Sequence, residues 1–395
     1  MYPRANEEVM LLKFFELHRG LYNSALQERI DAYKKFKKSV TYNDQARALT
    51  EIRGFDEDYA SLNAQSCQAT LKKLDRAFKA FFQRCKTGHT PGFPRFKGRD
   101  RFTGWGYNTH GDGYKMVTVN GKTAARISGV GTIRLRGKAR FSGTPKTAEV
   151  FLKNGNWYLS VSLEVAKEAV ARTRVDSKVL GFDWGVENFF TCYDGQKFSE
   201  VSNPRFFQQI KDRLTELQQE LAQLKRGSRK YRQCKYAISK LRIYEANCRK
   251  DFQHKLTQKL VRNNKEIYTE KLNIQNMTAS AKGTIEEPGK RVRQKSGLNR
   301  EILATAPRQF LEMLRYKAEE AGTKFLEFDT KALKASQRCG KCGDVVKKSL
   351  SIREHHCEKC GFETSRDRNS ALVLWNEGFR FYGLEQSACA DRKVG

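Results

Sequence analysis

Apolar residues recur at helical spacing through the first part of the chain, where few glycines interrupt them. Two groups show this spacing: Val9, Leu11, Leu12, Phe15, Leu17 and Leu21, and later Leu71, Leu74, Phe78, Phe81 and Phe82. Such intervals place apolar side chains on one face of a helix. The pattern therefore predicts a helical domain over residues 1–86.

The pattern changes to short alternating runs after residue 86. Residues 87–172 carry many glycines and runs of Thr, Val and Ile, such as residues 116–119 and 132–135. Residues 157–163 alternate apolar and polar side chains, which is the period of a strand with one buried face. We expect a β-barrel or a small β-domain over residues 87–172.

The rest of the chain alternates between strand and helix patterns. In chain order it predicts strands within 178–200, two antiparallel helices within 204–262, a strand at 266–272, a helix at 301–321, a strand at 324–328 and a helix at 368–377. Residues 278–300 are polar and basic and predict a mobile loop, and residues 379–395 predict a disordered tail. Strands that alternate with helices predict an α/β domain, within an α+β multidomain chain.

Composition narrows the class of protein. Hydrophobic residues make up 39% of the 395 residues, which is enough to build folded domains. No stretch reaches the ~18 consecutive apolar residues of a membrane span. The N-terminus lacks the basic and apolar layout of a signal peptide. We expect a protein that acts in the cytosol or nucleoid and has no membrane partner.

The charge balance points to a polyanionic partner. The net charge is +31, and Lys and Arg are interleaved with aromatic residues, as at residues 33–38 and 93–97. A basic surface that also carries rings is typical of a nucleic-acid groove, where cations meet phosphates and rings stack on bases. A solvated cationic surface and an anionic-membrane binder are the alternatives.

Four of the ten cysteines form two C-x2-C pairs, Cys339 with Cys342 and Cys357 with Cys360, 14 residues apart. Each pair turns two thiolates toward one point, and two pairs complete a tetrahedral S4 zinc site. All four positions are then filled by protein, so we predict a structural zinc ion. A pair of redox disulfides is the alternative. The other cysteines are expected to be ordinary thiols: Cys67, Cys85, Cys192, Cys234, Cys248 and Cys389.

Three carboxylates are candidates for a catalytic metal site. Asp183 ends an apolar strand pattern, Glu270 lies within another, and Asp367 directly precedes a helix pattern. Carboxylates that converge can hold two Mg2+ ions for phosphodiester cleavage. Taken singly, Asp183 could be a turn residue, Glu270 a strand residue paired with a lysine, and Asp367 a helix N-cap.

Taken together, the motifs around these residues resemble the TnpB family of transposon-encoded RNA-guided nucleases, which is related to the type V CRISPR effectors. Segments 181–185 (GFDWG), 267–272 (IYTEKL) and 366–371 (RDRNSA) are similar to the three RuvC motifs of that family. Segment 336–343 (SQRCGKCG) resembles the entry to its zinc finger. Segment 92–97 (GFPRFK) resembles its G-F-P-x-F-K signature. The similarity covers nearly the whole chain.

The resemblance implies a domain plan around an RNase H-like (RuvC) nuclease domain. Its parts are a helical recognition domain at 1–86, a β-barrel wedge domain at 87–172, the RuvC domain at 173–335 with a lid at about 278–300, an inserted zinc ribbon at 336–363 that binds target nucleic acid, the last RuvC part at 364–378 and a tail at 379–395.

The resemblance also implies an activity. A member of this family is a metal-dependent DNA endonuclease that cuts double-stranded DNA complementary to a guide RNA from the transposon end, next to a short flanking motif. Asp183, Glu270 and Asp367 would hold two catalytic Mg2+ ions, and the four cysteines one structural zinc ion. Candidate nucleic-acid contacts are Tyr42, Gln68, Arg95 and Lys97. We expect a monomer.

Three other functions remain open from the sequence. The chain could be a guided DNA-binding repressor without cleavage, although relatives of that kind lose acids that are all present here. It could be a guide-independent RNase H-like nuclease or transposase. It could also be a zinc-ribbon accessory protein of transposition that only binds DNA, and Mg2+-dependent cutting separates that function from a nuclease.

Overall fold

The computed structural model describes residues 1–137, 139, 141–166, 178–284, 286–347 and 352–391. The chain divides into two compact units, Met1–Ala169 and Val170–Gly395. Helices and strands follow one another in blocks in the first unit and alternate in the second, so the chain is an α+β protein as predicted. In the described part, no helix is long and apolar enough to cross a membrane.

The first unit opens with helices α1 (Ala5–Phe36), α2 (Tyr42–Phe55), α3 (Glu57–Ser61) and α4 (Ala64–Lys86). They occupy the segment for which apolar spacing predicted helices. The side chain of Thr41 accepts a hydrogen bond from an N–H in the first turn of α2, and Asn63 does so for α4. These caps satisfy N–H groups that have no partner within the helix, which fixes where each helix begins.

The strands of the first unit form two antiparallel sheets of three. Their bounds are β1 (Gly104–Tyr107), β2 (Tyr114–Val119), β3 (Lys122–Ile127), β4 (Gly131–Arg134), β5 (Thr144–Lys153) and β6 (Asn156–Glu164). One sheet has the order β1-β5-β6 and the other β2-β3-β4. β5 and β6, and likewise β2, β3 and β4, are consecutive strands joined as hairpins. β1 instead pairs with β5, and the strands β2 to β4 lie between them in the sequence.

The predicted β-barrel does not close among residues 1–137 and 141–166. The inner face of the β1-β5-β6 sheet packs against helix α1. The ring of Trp105 lies 6.4 Å from Phe14, and that of Trp157 lies 6.1 Å from Phe15. Because a helix covers this face, the sheet buries its apolar side chains without curling into a barrel.

The second unit is built on a five-stranded sheet. Its strands are β7 (Lys178–Trp184), β8 (Asn188–Tyr193), β9 (Phe198–Ser202), β10 (Asn264–Glu270) and β11 (Lys324–Phe328), in the spatial order β11-β10-β7-β8-β9. β7, β10 and β11 run parallel, whereas β8 pairs antiparallel with β7 and β9 pairs antiparallel with β8, as a meander. The three parallel strands therefore end at the same edge of the sheet.

Helices connect and cover this sheet. They are α5 (Phe206–Gln223), α6 (Arg229–Asn263), α7 (Ile274–Met277), α8 (Val292–Thr305), α9 (Pro307–Ala321), α10 (Thr330–Leu333) and α11 (Arg366–Asp391). The two strands of a small hairpin, β12 (Glu354–His356) and β13 (Glu363–Ser365), precede α11. Phe310 of α9 is fully buried and packs edge-on to the rings of Phe182 and Phe189.

Three boundaries differ from the sequence expectation. The single helix predicted at 301–321 is split at Ala306, whose left-handed φ of 49° and the following Pro307 interrupt the helical hydrogen bonds. Part of the predicted loop at 278–300 is helical, since α8 begins at Val292. α11 continues to Asp391, beyond the predicted end at 377. The last four residues of the predicted tail lie outside the described part.

Candidate functional site

Two of the candidate acids lie side by side on parallel strands. Tyr268 of β10 pairs with Gly181 of β7, and Glu270 and Asp183 are each two residues further along. Side chains two residues apart point to the same face of a sheet. Glu270 and Asp183 therefore point to one face at the carboxyl ends of strands that are spaced about 4.8 Å apart.

The two faces of β7 carry different chemistry. Leu180 and Phe182 are buried in the apolar core that includes Phe310 of α9. Gly181 and Asp183 point the other way, to the face that α11 covers. The alternation of the strand thus buries its apolar side chains on one side and presents the carboxylate on the other.

Helix α11 brings the third acid to this place. It packs so closely on β7 that a Cβ on Gly181 would lie 2.4 Å from the backbone nitrogen of Trp375 and 2.5 Å from the carbonyl oxygen of Ala371. The Trp375 indole N–H also donates to the carbonyl of Val179 at 3.2 Å. Asp367 is in the first turn of α11, and its Oδ2 lies 3.9 Å from where a Cβ on Gly185 would be. Its carboxylate is therefore beside the backbone that follows Asp183.

The charges of Glu270 and Asp367 act on Asp183. Burial raises the pKa of Asp183 well above its usual range, and the negative charges of Glu270 and Asp367 raise it further. Arg366 and the Trp184 N–H act in the opposite direction. Such a group is costly to ionise unless a cation is present.

The pKa of Glu270 is set by burial and by one backbone group. Burial raises its pKa, and the backbone N–H of Ala335 opposes this rise. Arg366 contacts the third acid, with 3.7 Å between its Nε and Asp367 Oδ1. The site thus offers hard carboxylate oxygens with few competing cations, which is the donor set that Mg2+ prefers.

The four cysteines of the C-x2-C pairs meet at one point. Their sulfur atoms all lie within 4.8 Å of one another, with 3.7 Å between Cys339 and Cys360 and 3.6 Å between Cys342 and Cys357. A tetrahedron of sulfurs at the Zn–S distance of ~2.3 Å has edges of about 3.8 Å. The cluster therefore fits a structural zinc ion, as the spacing predicted.

Each cysteine pair forms the same turn. The N–H of Gly343 donates to the Cys339 carbonyl at 2.9 Å, and that of Gly361 donates to the Cys357 carbonyl at 2.8 Å. Both glycines have positive φ, 80° and 68°, a conformation that other residues rarely adopt. The two glycines let the chain turn back so that both sulfurs of a pair face the metal.

Two candidate nucleic-acid contacts lie near each other in the first unit. Tyr42, half-buried at the start of α2, has the ammonium of Lys72 5.7 Å above its ring. Gln68 is exposed on α4, one helical turn before Lys72, so the two lie on the same face of that helix. The structure thus brings Tyr42 to the face of α4 that carries Gln68.

The other two candidates belong to segment 92–97. The side-chain amide of Asn23 fixes the backbone of Lys97, donating to its carbonyl at 3.0 Å and accepting from its N–H at 2.8 Å. The Lys97 ammonium lies 5.6 Å over the ring of Tyr22, whereas Arg95 is exposed. The segment is therefore held by its main chain, which leaves Arg95 to solvent.

Some residues of the site had no signal in the sequence. The Ala335 N–H that acts on Glu270 is a backbone group, so the identity of residue 335 does not indicate this role. Asn369 is fully buried beside the zinc turn, yet an asparagine in the first turn of a helix usually reads as a capping residue. Gly181 could have been noticed, because a glycine inside an apolar strand indicates a close backbone approach.

Three family models match parts of the chain. Residues 160–281 match a family model described as “Probable transposase”, residues 308–374 match one described as “Cas12f1-like, TNB domain”, and residues 1–38 match one described as “Helix-turn-helix domain”. In the structure, residues 5–36 of the last segment form the single helix α1.

Two curated proteins are similar over nearly the full chain. A candidate RNA-guided DNA endonuclease of Escherichia coli strain K12, InsQ, is 30% identical over 379 residues, which are 95% of this chain and 90% of that protein. A candidate RNA-guided DNA endonuclease of Streptomyces pristinaespiralis is 26% identical over 395 residues, 99% of this chain and 89% of that protein.

One solved structure shares the fold. The matching protein chain comes from a Cas12f1–sgRNA–target DNA complex and superposes with a TM-score of 0.62. The match covers 93% of this chain and 82% of that chain at 15% identity, so it concerns the fold alone.

Proposed function

The chain belongs to the TnpB family of transposon-associated proteins, and from this premise we propose that it is an RNA-guided DNA endonuclease with a RuvC-type site formed by Asp183, Glu270 and Asp367. The observation that carries the proposal is the placement of three carboxylates at one edge of the second unit's sheet, two on parallel strands and one at the start of α11. The rise of the Asp183 pKa, to which the charges of Glu270 and Asp367 contribute, supports it.

The site's own residues bind and orient the reacting groups. Two Mg2+ ions, when bound, would activate a water molecule and stabilise the leaving 3′-oxygen. Glu270 is oriented by the Ala335 N–H, and Asp367 is oriented by its position in the first turn of α11. The charges of both acids raise the pKa of Asp183, which would ionise fully only with the cations in place.

The basic surface supports nucleic-acid partners. A groove of about 740 Å3 lies among α5, α6 and α8 of the second unit. Cationic side chains from all three helices line it, namely Lys211, Arg242 and Arg300, whereas Arg249 in the same groove is paired with Glu245. Cations spaced along a groove neutralise phosphates of a backbone without reading sequence. We assign it to the backbone of guide RNA or target DNA.

The domain plan belongs to the same proposal. Residues 1–86 would form the recognition helices and 87–172 the wedge domain that grips RNA. Residues 173–335 and 364–378 would form the RuvC domain, with a lid at 278–300 and a zinc module at 336–363 that contacts target nucleic acid. Tyr42 and Gln68 would read the flanking duplex motif, with Arg95 and Lys97 on the backbone. The protein would act as a monomer in the cytosol or nucleoid.

Sequencing of co-purified RNA tests the guided function. The protein is expressed with the noncoding DNA that flanks its gene, and the RNA that purifies with it is sequenced. One abundant RNA with a structured body and a 3′ end that matches neighbouring DNA is expected. Fragmented bulk RNA, or none, would instead favour a guide-independent nuclease, and Mg2+-dependent cutting of DNA by the bare protein would then be measured.

A further inference from the structure

A short segment connects the zinc site to two of the proposed catalytic acids. It runs from Ala335 to Gly340, directly before and into the first cysteine turn. At one end the backbone N–H of Ala335 acts on the Glu270 carboxylate and lowers its pKa. At the other end Cys339 is a zinc ligand. Only residues 336–338 therefore separate Ala335, which acts on Glu270, from Cys339 of the metal cluster.

The side chain of Asn369 fastens this segment to α11. Its Nδ2 donates to the Ala335 carbonyl at 3.3 Å and to the Arg338 carbonyl at 2.7 Å, and its Oδ1 accepts from the Gly340 N–H at 2.9 Å. Asn369 has no exposed surface. Both donors and the acceptor of the amide are thus used by main-chain groups of one segment.

Asn369 is two residues beyond Asp367 on the same helix. A rigid helical turn joins them, so a force that moves Asn369 moves Asp367 as well. The same amide donates to the carbonyl of Ala335, whose N–H acts on the Glu270 carboxylate. Asn369 is therefore the point at which Glu270, Asp367 and the zinc turn are mechanically joined.

We propose that Asn369 is a positioning residue that lets the zinc-loaded turn set the spacing of Glu270 and Asp367. The inference rests on the proposed nuclease site. The zinc module then has a second role besides its own folding, because its first turn holds the segment that aims two of the three acids. Partners of this kind, one shell outside a metal's ligands, change metal affinity by about 10- to 100-fold when removed.

Asn376 provides a matched control. Its Nδ2 donates to the Gly340 carbonyl at 2.6 Å, so it ties the same zinc turn to the same helix. It is seven residues from Asn369, about two helical turns further from Asp367. Among the hydrogen bonds of the described residues, the Asn376 side chain contacts this segment at Gly340 alone. Loss of Asn376 should loosen the turn without releasing Glu270 or Asp367.

The test measures Mn2+ binding by the zinc-loaded full chain without nucleic acid, with Mn2+ as the probe for the acid site. Wild type, Asp183→Asn, Asn369→Ala and Asn376→Ala are compared, together with zinc content and melting temperature. We expect Asn369→Ala to keep one zinc ion and to weaken Mn2+ binding about tenfold. Asn376→Ala should bind Mn2+ as wild type does.

The outcomes separate the inference from the proposed function. Wild-type Mn2+ affinity in Asn369→Ala, or equal losses in both asparagine variants, would overturn the positioning role. If Asp183→Asn has no effect on Mn2+ binding, the acid site itself is wrong and the inference is lost with it. Should Asn369→Ala fail to fold, Gly340→Ala replaces it, since its Cβ would lie 2.7 Å from the Leu372 side chain and push the turn from α11. The same loss of Mn2+ affinity is expected there, and wild-type affinity would again overturn the role.

Discussion

At the scale of single residues, Asp183 carries a charge that its surroundings oppose. Burial and the charges of Glu270 and Asp367 all raise its pKa. A carboxyl whose pKa is raised on folding binds its proton more tightly in the folded chain than in the unfolded chain. The free energy of unfolding therefore falls as pH rises from the ordinary value of about 3.9 to the raised pKa. The charge of Asp183 therefore lowers the free energy of unfolding at neutral pH, as expected for a residue that serves a cation site rather than stability.

Removal of this charge should stabilise the protein while abolishing its activity. In a buffer without Mg2+ at pH 7, we expect Asp183→Asn to melt about 2 °C or more above wild type. The difference should shrink toward pH 4, where wild-type Asp183 is protonated. DNA cleavage should be lost, with RNA binding unchanged. Thermal melts across pH check the first claim, and cleavage and RNA-binding assays check the second.

Asp194 in the turn after β8 is the control for this prediction. Although burial opposes it, the N–H groups of Lys197 and Gln196 lower the pKa of the Asp194 carboxyl. Its charged form is therefore favoured by folding, and Asp194→Asn should melt below wild type at pH 7. If Asp183→Asn also melts below wild type, the charge at Asp183 is not unfavourable and the prediction is contradicted.

At the scale of elements, the contact of α11 with β7 brings Asp367 to Asp183. That contact requires a glycine at position 181, where any Cβ would overlap the backbone of α11. Backbone atoms of a packed helix cannot move aside as a long side chain can. The helix itself would have to shift, and the first turn with Asp367 would shift with it.

We therefore expect Gly181→Ala to destabilise the protein by about 1–3 kcal/mol and to lower cleavage more than guide binding. Gly297 of α8 is the matched control, since a Cβ there meets no atom within 4 Å. Gly297→Ala should gain up to ~1 kcal/mol, because alanine favours a helix over glycine. Denaturant unfolding and cleavage rates measure both. An unchanged Gly181→Ala variant would contradict the close packing.

The zinc turns are a second element whose contribution can be measured. Cys339→Ala should remove one zinc ion per chain and most of the site's folding free energy, on the order of 10 kcal/mol. Cys85 is exposed and lies outside the cluster, so Cys85→Ser should keep both zinc and stability. Metal analysis and thermal melts compare the two. Normal zinc content and stability in Cys339→Ala would contradict a structural zinc site.

The sequence predicted well where helices form and which side chains could bind a metal. It predicted less well whether the sheets close into a barrel and where a helix begins or ends. Helical spacing located α1 and α4, and the spacing of two C-x2-C pairs located the sulfur cluster, because both depend on local intervals. The barrel was wrong, because whether a sheet curls depends on what covers it, and here α1 does. The break at Ala306 depends on one backbone conformation that an alanine does not indicate.

The candidate site was only partly within reach of sequence reasoning. The three acids were chosen from motifs, and the structure places Asp183 and Glu270 on neighbouring strands. Their assignment as catalytic groups remains a prediction. What joins them could not be foreseen, because the Ala335 N–H and the Asn369 amide act on residues that are 29 or more positions away in the sequence.

At the scale of the whole molecule, the main electrostatic property is the net charge of +31. Self-repulsion of this size opposes compaction unless a polyanion neutralises it. Binding of nucleic acid by such a chain releases counterions from the phosphates, so affinity should depend steeply on salt. Guide RNA is thus expected to bind and also to stabilise the folded protein.

We expect affinity for the co-purified RNA to fall about 10³- to 10⁵-fold between 50 and 200 mM salt, as for 6–10 phosphate contacts. Arg242→Gln and Arg300→Gln in the groove of the second unit should each reduce the slope of log affinity against log salt by about one. Glu319→Gln on α9 serves as the control and should leave the slope unchanged. Filter binding at a series of salt concentrations measures the slope for each variant. A flat dependence would contradict a phosphate-binding surface.

Cleavage with a reprogrammed guide tests the central claim most directly. The guide portion of the co-purified RNA is exchanged for a new sequence, and the complex is incubated with Mg2+ and plasmids that do or do not carry the complementary site beside a randomised flank. We predict cutting of the complementary plasmid alone, only with certain flanks, and none by Asp183→Ala. Cutting that ignores the guide, or persists in Asp183→Ala at the wild-type rate, would contradict the account.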